Sequence, residues 1–396
     1  MKSRPWRIAV LNSHPIQYFA PLYAYLNASE DFDITALYCS DFSLRGAQDP
    51  GFGQNVTWDL DLLAGYRAVF LGERAKTRTP GGFWSLVCPE VWREVRSGRY
   101  DALILHGHNY AVNLLALLSA KTAGVKVFMR GETHLGLQRS DFMQRIRRPL
   151  MNLLYRACDC CLAIGAANHA FYRAMGVPEH KIVTVPYTVD NDRFIAAARL
   201  GDQERRDMLQ RLGADTDQPV VLYASKFQRR KHPDDLLKAV ALLRERGIRC
   251  TVLMVGSGEM RDELRQLVTQ LNLSDVHFTG FINQSDLPRV YGASDIFVLP
   301  SENEPWGLIV NEVMCAALPV IIAEEVGCVR DLVYAGINGY TFPAKDPIAL
   351  ADCLEKLLSN PDQRKAMGRE SLARICNWSY RECHLGLKNA LEDGFS

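Results

Sequence analysis

Asp295-Ile296-Phe297-Val298-Leu299-Pro300, and a few residues later Glu304-Pro305-Trp306-Gly307-Leu308-Ile309-Val310-Asn311-Glu312, set the terms for the rest of the chain. The first run is continuously apolar and short, as a strand buried on both faces is. The second leads into Val310-Asn311-Glu312-Val313-Met314-Cys315-Ala316-Ala317, which reads as a helix. Glu304 therefore stands in a strand-to-helix loop. Gly307 lets a ligand approach the backbone closely, and a helix start offers unpaired N–H groups to an anion. Leu308 and Glu312 are four apart and share a helix face, so Glu312 is expected to point back along the same cleft. A site of this kind suits a ligand with sugar hydroxyls at one end and phosphate at the other.

The same alternation extends in both directions. Strands are expected at 8–11, 34–38, 102–105, 125–129, 161–164 and 182–185, and again at 220–224, 250–255, 276–279, 296–299 and 320–322. Helical segments separate them, including 109–122, 142–156, 233–246, 260–271, 308–317 and 347–358. Such alternation predicts α/β architecture: two doubly wound, Rossmann-like domains facing each other across a cleft, with ligands at the carboxyl ends of the strands. The first domain is expected over 1–190 and the second over 218–377. Residues 191–217 read as a connection holding one short helix, 203–212.

With 396 residues the chain has room for two ordinary domains. The net charge of +1 gives no polyanion-binding signature, and no nucleic-acid partner is expected. Charge is unevenly spread: residues 1–199 carry a net +6 and the remainder −5. The excess is either a surface that favours acidic partners, anionic lipid included, or ordinary variation. The eleven cysteines are mostly scattered, and the Cys158–Cys161 pair lacks a second pair to complete a common zinc site. Reduced thiols and a start unlike a signal peptide suggest a cytoplasmic protein.

Four loops of the second half follow strand ends. Lys226 and Lys231, in Ser225-Lys226-Phe227-Gln228-Arg229-Arg230-Lys231-His232-Pro233, place two ammonium groups beside a helix start, as a diphosphate clamp or as a solvated basic turn. Gly256 and Gly258 allow close backbone approach or make a plain turn; Arg261 stands where a dinucleotide fingerprint needs its third glycine. Phe281 and Ile282 follow Gly280 and either hold a nucleobase or simply end a core strand. The fourth loop is the Glu304–Glu312 run.

Taken in order, these segments resemble the donor-binding domain of family-4 glycosyltransferases. They run from Ser225-Lys226 and Lys231 through Val255-Gly256-Ser257-Gly258, Phe278-Thr279-Gly280-Phe281, Ser294–Ser301, Glu304–Glu312 and Leu332–Tyr340 to Asp346-Pro347. The resemblance covers 226–358 and implies the GT-B fold, a nucleoside-diphosphate sugar as co-substrate, retention at the anomeric carbon, and no resident cofactor or metal. It implies that Lys226 and Lys231 bind the diphosphate, Glu304 the donor sugar, the amides near Gly307 and Leu308 the distal phosphate, and Glu312 the ribose. Lys226 replaces the commoner arginine, and His232 the commoner glycine. The final segment, 378–396, resembles the last helix of such enzymes, which crosses back to the first domain.

The first half is similar more loosely, chiefly through Val185-Pro186-Tyr187-Thr188-Val189-Asp190-Asn191-Asp192-Arg193-Phe194. Its first loop has no glycines; His14, Gln17 and Tyr18 are candidates to face an acceptor or a phosphate. Arg130-Gly131-Glu132-Thr133-His134 follows a strand, and Glu132 and His134 are candidates for polar work at the reaction centre, or else merely cap the next helix. His106 and His108 are weaker candidates. Residues 140–151 mix arginines with bulky apolar side chains, which suits docking on anionic headgroups or a solvated helix. Asp59-Leu60-Asp61 matches a short metal-binding pattern but reads better as a turn. The expected function is transfer of a hexose to a lipid-linked or oligosaccharide acceptor, in cell-surface polysaccharide or glycolipid synthesis at the inner membrane face. A silent nucleotide-sugar-binding partner and an epimerase on the same fold are the alternatives.

Overall fold

Because Ile8–Leu11 and Ile296–Leu299 carry no polar side chain, each is stable only with both faces covered, and each lies near the middle of a parallel sheet. The computed structural model describes residues 4–46, 48–49, 54–55, 57–137, 141–214 and 217–394; side chains of 48–49, 54–55, 141–147 and 393–394 fall outside that description. In chain order the first elements are β1 (Trp6–Asn12), α1 (Ala20–Asn27), β2 (Phe32–Tyr38), a two-strand antiparallel pair β3 (Gln48–Asp49) and β4 (Gln54–Asn55), and β5 (Arg67–Phe70). Then come α2 (Glu90–Val95), β6 (Ala102–His106), α3 (Ala111–Ala123), β7 (Lys126–Arg130), α4 (Asp141–Ala157), β8 (Cys160–Ala163), α5 (Ala166–Ala174) and β9 (Ile182–Thr184). Seven of these strands form one parallel sheet in the order β5-β2-β1-β6-β7-β8-β9.

The second half contributes α6 (Asn191–Ala198), α7 (Asp202–Arg211), β10 (Val220–Ala224), α8 (Pro233–Glu245), β11 (Thr251–Val255), α9 (Arg261–Gln270), β12 (Val276–Gly280), α10 (Leu287–Ala293), β13 (Ile296–Leu299) and α11 (Leu308–Cys315). It ends with β14 (Val320–Ala323), α12 (Val329–Leu332), β15 (Gly339–Phe342), α13 (Pro347–Leu358), α14 (Pro361–Ile375) and α15 (Tyr380–Gly394). Its sheet is parallel, in the order β12-β11-β10-β13-β14-β15. Both sheets reverse strand order beside their first strand, the topology of a doubly wound fold.

By packing, the chain divides into one unit of 1–47, 60–190 and 378–396 and a second of 48–59 and 191–377. The expected connection 191–217 holds two helices. Of these, α6 packs on α10 and α11, and α7 on α10, so Phe194 and Met208 are core residues of the second unit. Within the first unit α15 lies against α1, β8 and β9. Asp31 there pairs with His384 at 2.8 Å and Lys388 at 2.8 Å, and the Trp378 indole donates to the Tyr187 carbonyl at 3.0 Å.

The core of the first sheet gathers Leu103, Leu105, Val127, Val112, Ala116 and Phe171. Fully burying each large side chain of this kind stabilises by about 1.5–3 kcal/mol. Cys158 and Cys161 belong to this core, and burial pushes the Cys158 thiol up to about 12. No helix among the described residues is long and apolar enough to cross a membrane.

Candidate functional site

Four loops leave the carboxyl ends of β12, β11, β10 and β13, which are neighbours in the second sheet, so they lie side by side. Backbone contacts join each to the next. The Gly256 amide donates to the Gly280 carbonyl at 2.9 Å, the Phe227 amide to Ser257 at 2.9 Å, and the Glu302 amide to Arg230 at 3.1 Å. Gly256 and Gly258 serve these contacts directly. With φ at +134° and +154°, a Cβ at Gly256 would lie 2.1 Å from the Ser225 carbonyl oxygen, and one at Gly258 2.7 Å from that of Phe227. The close approach expected of these glycines is thus made to the neighbouring Lys226 loop.

That loop carries Lys231, which is 7% exposed and whose ammonium contacts the Glu304 carboxylate. Arg230 adds a second cation 3.7 Å from the same carboxylate and donates to the Asn303 carbonyl at 2.9 Å. Burial pushes the Lys231 pKa well below that of an ordinary lysine, and the charges of Arg230 and Lys226 push the same way. Contact with Glu304 opposes them. Lys226 is half-buried, its carbonyl accepting from the Tyr223 hydroxyl at 3.2 Å. Gly307, at φ +90°, caps the start of α11, and Leu308 is buried in its first turn. A Cβ at Gly307 would crowd the side chains of Val326, Leu299 and Glu304 and would strain a backbone angle that glycine adopts freely. Within that first turn the Val310 amide donates to the Gly307 carbonyl at 2.9 Å, while the amides of Leu308 and Ile309 stand ahead of the helix's own acceptors.

Glu312 departs from the expected geometry. Its side chain is 0% exposed, and it accepts from the Tyr291 hydroxyl at 2.6 Å. The helix spacing that puts it on the face of Leu308 also puts it beneath the surface, where α10 supplies Tyr291. Phe281 and Ile282 are half-buried in the loop after Gly280.

His232 takes the left-handed conformation, φ 47°, at the start of α8. Its ring lies 3.6 Å from Asp235 and 3.5 Å from Glu302. Among the described residues, His232, Asp234 and Asp235 have the spacing to hold a metal ion. The Lys238 ammonium already contacts both aspartates, at 2.6 and 3.5 Å.

The first unit has its own cluster of loops at strand ends. His14 follows β1 and contacts the Ser13 hydroxyl at 3.0 Å and the Phe42 ring; Gln17 and Tyr18 are half-buried beside it. After β7, the buried His134 accepts at Nδ1 from the Gly136 amide at 3.1 Å, so the neutral ring carries its proton on Nε2. The Tyr187 hydroxyl donates to Glu132 at 2.7 Å. Glu132 retains exposed area, but its carboxyl is crowded by protein. That crowding raises its pKa, while Tyr187 and Arg130 oppose the rise.

Arg130, given no role from sequence, is buried. It donates to the Pro186 carbonyl at 3.0 Å and lies 5.7 Å from the Tyr187 ring centre. His106 contacts the Tyr23 hydroxyl at 3.1 Å; burial pushes its pKa down to about 3, with Arg130 adding to the shift, so it stays neutral near pH 7. His108 is buried against the Tyr155 hydroxyl at 3.2 Å.

Asp61 acts locally, accepting from the Leu63 amide at 3.0 Å, whereas Asp59 accepts from the Ser285 amide, 226 positions away, at 3.1 Å. Of the 140–151 segment, Ser140 and the side chains of 141–147 are outside the described residues. Beyond them, Leu150 and Leu153 are 64% and 68% exposed, and Arg148 is exposed on the same helix.

Comparison with known proteins gives both halves a relationship. Residues 18–188 match the model of the glycosyl transferase 4-like domain, and residues 204–374 that of glycosyl transferases group 1. An alpha-D-kanosaminyltransferase of Streptomyces kanamyceticus is 28% identical over 217 residues, 54% of this chain and 55% of that protein. A D-inositol 3-phosphate glycosyltransferase of Xylanimonas cellulosilytica is 33% identical over 52% of this chain and 50% of its own length. The chain thus spans about half the length of these curated relatives. Another D-inositol 3-phosphate glycosyltransferase, from Pseudarthrobacter chlorophenolicus, is 28% identical over 77% of this chain and 74% of its own.

The fold matches the crystal structure of Anabaena HepE in complex with UDP and glucose. The TM-score is 0.74 at 18% identity, with 98% of this chain and 99% of that one covered. A sucrose-phosphate synthase from Thermosynechococcus elongatus scores 0.74 at 19% identity, covering 98% and 99%. The two parallel sheets of seven and six strands are those of the GT-B architecture.

Proposed function

We propose that this chain, both halves of which match glycosyltransferase models, transfers a hexose from a nucleoside-diphosphate sugar to a hydroxyl acceptor, with retention at the anomeric carbon. The observation that carries the reading is the meeting of Lys231 with Glu304 beside the Gly307 turn. A buried ammonium, a carboxylate and a helix start are brought together where a sugar diphosphate has matching groups. The bond broken joins the anomeric carbon to a phosphate oxygen. As it breaks, the sugar becomes oxocarbenium-like and the departing diphosphate gains negative charge. In this reading Lys226, Lys231 and the first amides of α11 stabilise that charge as it develops, without a divalent ion. Arrival of the diphosphate gives Lys231 a new partner and frees Glu304 to accept from sugar hydroxyls. Glu312 holds the ribose hydroxyls in this reading, which requires the Tyr291 contact to open.

In the first unit, Glu132 and His134 are the proposed polar groups at the reacting centre, with His14, Gln17 and Tyr18 toward the acceptor. The acceptor class proposed is a lipid-linked or oligosaccharide hydroxyl. The proposed setting is the cytoplasmic face of a membrane, in polysaccharide or glycolipid synthesis. Exposed Leu150 and Leu153 beside Arg148 suit anionic headgroups there.

The test is calorimetry with a panel of nucleoside diphosphates and their sugars, followed by assay of sugar release and transfer. Binding of at least one diphosphate, with turnover lost in Glu304→Ala, is expected. A folded protein that binds none of them refutes the reading.

A further inference from the structure

A short piece of the first half of the chain belongs structurally to the second unit. Of residues 48–59, which lie in sequence between β2 and β5, both strands of the first sheet, the described ones (48–49, 54–55 and 57–59) group with 191–377. Their last three residues are fastened to the loop that follows β12. The Asn283 side-chain amide donates to the Thr57 carbonyl at 2.7 Å, while its oxygen accepts from the Gln284 amide at 2.9 Å. The Asp59 carboxylate accepts from the Ser285 amide at 3.1 Å and also from the Ser285 hydroxyl. Between these anchors the half-buried Trp58 indole meets the Phe281 ring edge-on, centroids 6.1 Å apart. The loop is held from another side by Arg193 of α6, which donates to the Gln284 carbonyl at 2.8 Å and to its side-chain oxygen at 3.0 Å.

We propose that Thr57–Asp59 is a fixed wall of the nucleobase subsite and that Trp58 sets which base is accepted. This rests on the donor-binding reading above, and it takes the first of the two alternatives the sequence offers for Phe281 and Ile282, that they hold the nucleobase. Diphosphate groups carry no information about the base, so selection falls to whatever touches the heterocycle. Backbone at Phe281–Ile282 supplies hydrogen-bonding groups that are the same whatever the side chains. An indole anchored on both sides supplies a rigid, flat apolar surface whose position limits the size of the ring that fits. The pairing of Asp59 with Ser285 gives Asp59-Leu60-Asp61 a purpose other than metal binding: it fixes the end of the wall.

The experiment is calorimetric titration of the whole protein with UDP, GDP, ADP, TDP and inorganic pyrophosphate, for the wild type, Trp58→Ala, Trp58→Phe and Asp59→Ala. The wild type is expected to bind one nucleoside diphosphate in preference to the others and more tightly than pyrophosphate. Trp58→Ala is expected to weaken that diphosphate by on the order of tenfold, the effect of losing one aromatic surface against a base, and to flatten the preference. Its affinity for pyrophosphate should not change. Trp58→Phe keeps a ring and should fall between, which preserves the test if the alanine variant fails to fold. Asp59→Ala should reduce the preference with the indole still present. Wild-type binding with affinity and base ranking unchanged in all three variants overturns the assignment of Trp58 while leaving the donor site standing. Wild-type protein that binds no nucleoside diphosphate overturns both.

Discussion

Lys231 and Glu304 are 73 positions apart in sequence and in contact in the fold, because β10 and β13 are adjacent strands and each residue stands in the loop after its own strand. The pair is nearly sealed from solvent, with side-chain exposures of 9% and 14%. Two charges so placed stabilise each other, and removing one leaves the other poorly solvated. Under the proposed function, a diphosphate would enter a site whose positive charge is already held in place.

Glu304→Gln is therefore expected to have two separable effects. Without ligand, its melting temperature should fall, since Lys231 loses its counter-charge. Saturating pyrophosphate should restore much of that loss. Turnover should drop on the order of tenfold to a hundredfold even when donor is saturating, the scale of one charge-assisted hydrogen bond to the sugar. Thermal melts with and without pyrophosphate, alongside a transfer assay, check both.

On the proposed function, the depressed pKa of Lys231 would give diphosphate binding a pH dependence. The free site holds its proton less tightly than an ordinary lysine, and the bound diphosphate favours the charged form. Affinity should be complete below the free-site pKa and fall as pH rises through it, earlier than for an unperturbed lysine. Calorimetry from neutral to alkaline pH tests the sign. Lys231→Ala should remove the dependence and cost roughly 10- to 100-fold in affinity.

Gly256→Ala should destabilise the fold by about 2 kcal/mol or more, because the added methyl falls on the Ser225 carbonyl and the backbone angle is unfavourable for alanine. Gly82→Ala is the control: nothing lies within 4 Å of its added Cβ, and it should be close to neutral. Urea unfolding of the two variants decides the point.

Asp31 joins the start of β2 to α15 through Lys388 and His384, and these contacts, Lys388 foremost, lower its pKa. A carboxylate whose folded pKa is depressed adds stability above its unfolded pKa, and that contribution is lost as pH falls through the folded value. Asp31→Asn should cost less than about 1 kcal/mol near pH 7, as expected of a solvent-accessible pair. The difference should vanish in strong acid. Paired melts of variant and wild type from pH 7 to pH 2 measure it.

Legibility from sequence followed burial. Strands β1, β6, β10, β11 and β13 are each built on an apolar run because parallel strands are covered on both sides, and each is legible to within a residue or two. The edge strands β5 and β15 were missed: Arg67–Phe70 and Gly339–Phe342 are only partly buried and mix polar with apolar residues. Helix α14 was missed because a charged stretch buries only Met367, Gly368, Ser371 and Ile375. The loops of the candidate site could be found, since glycines and cations after an apolar run are a local signal.

Their connections could not be found in this way. The pairing of Glu312 with Tyr291, of Glu132 with Tyr187, and of Trp58 with Phe281 depends on which strands are neighbours and on where a distant segment returns. Arg130 was in plain view after β7, but nothing local showed that it would be enclosed by Tyr187 and Cys383.

In sequence the first unit is interrupted twice, by 48–59 and by 191–377, and α15 in its last segment returns to it after the second interruption. A chain stopped after Asn377 would keep every strand of both sheets and lose the helix that packs on α1, β8 and β9. Cropping or crowding α15 therefore disturbs the sheet that lies far from it in sequence and spares the one that immediately precedes it.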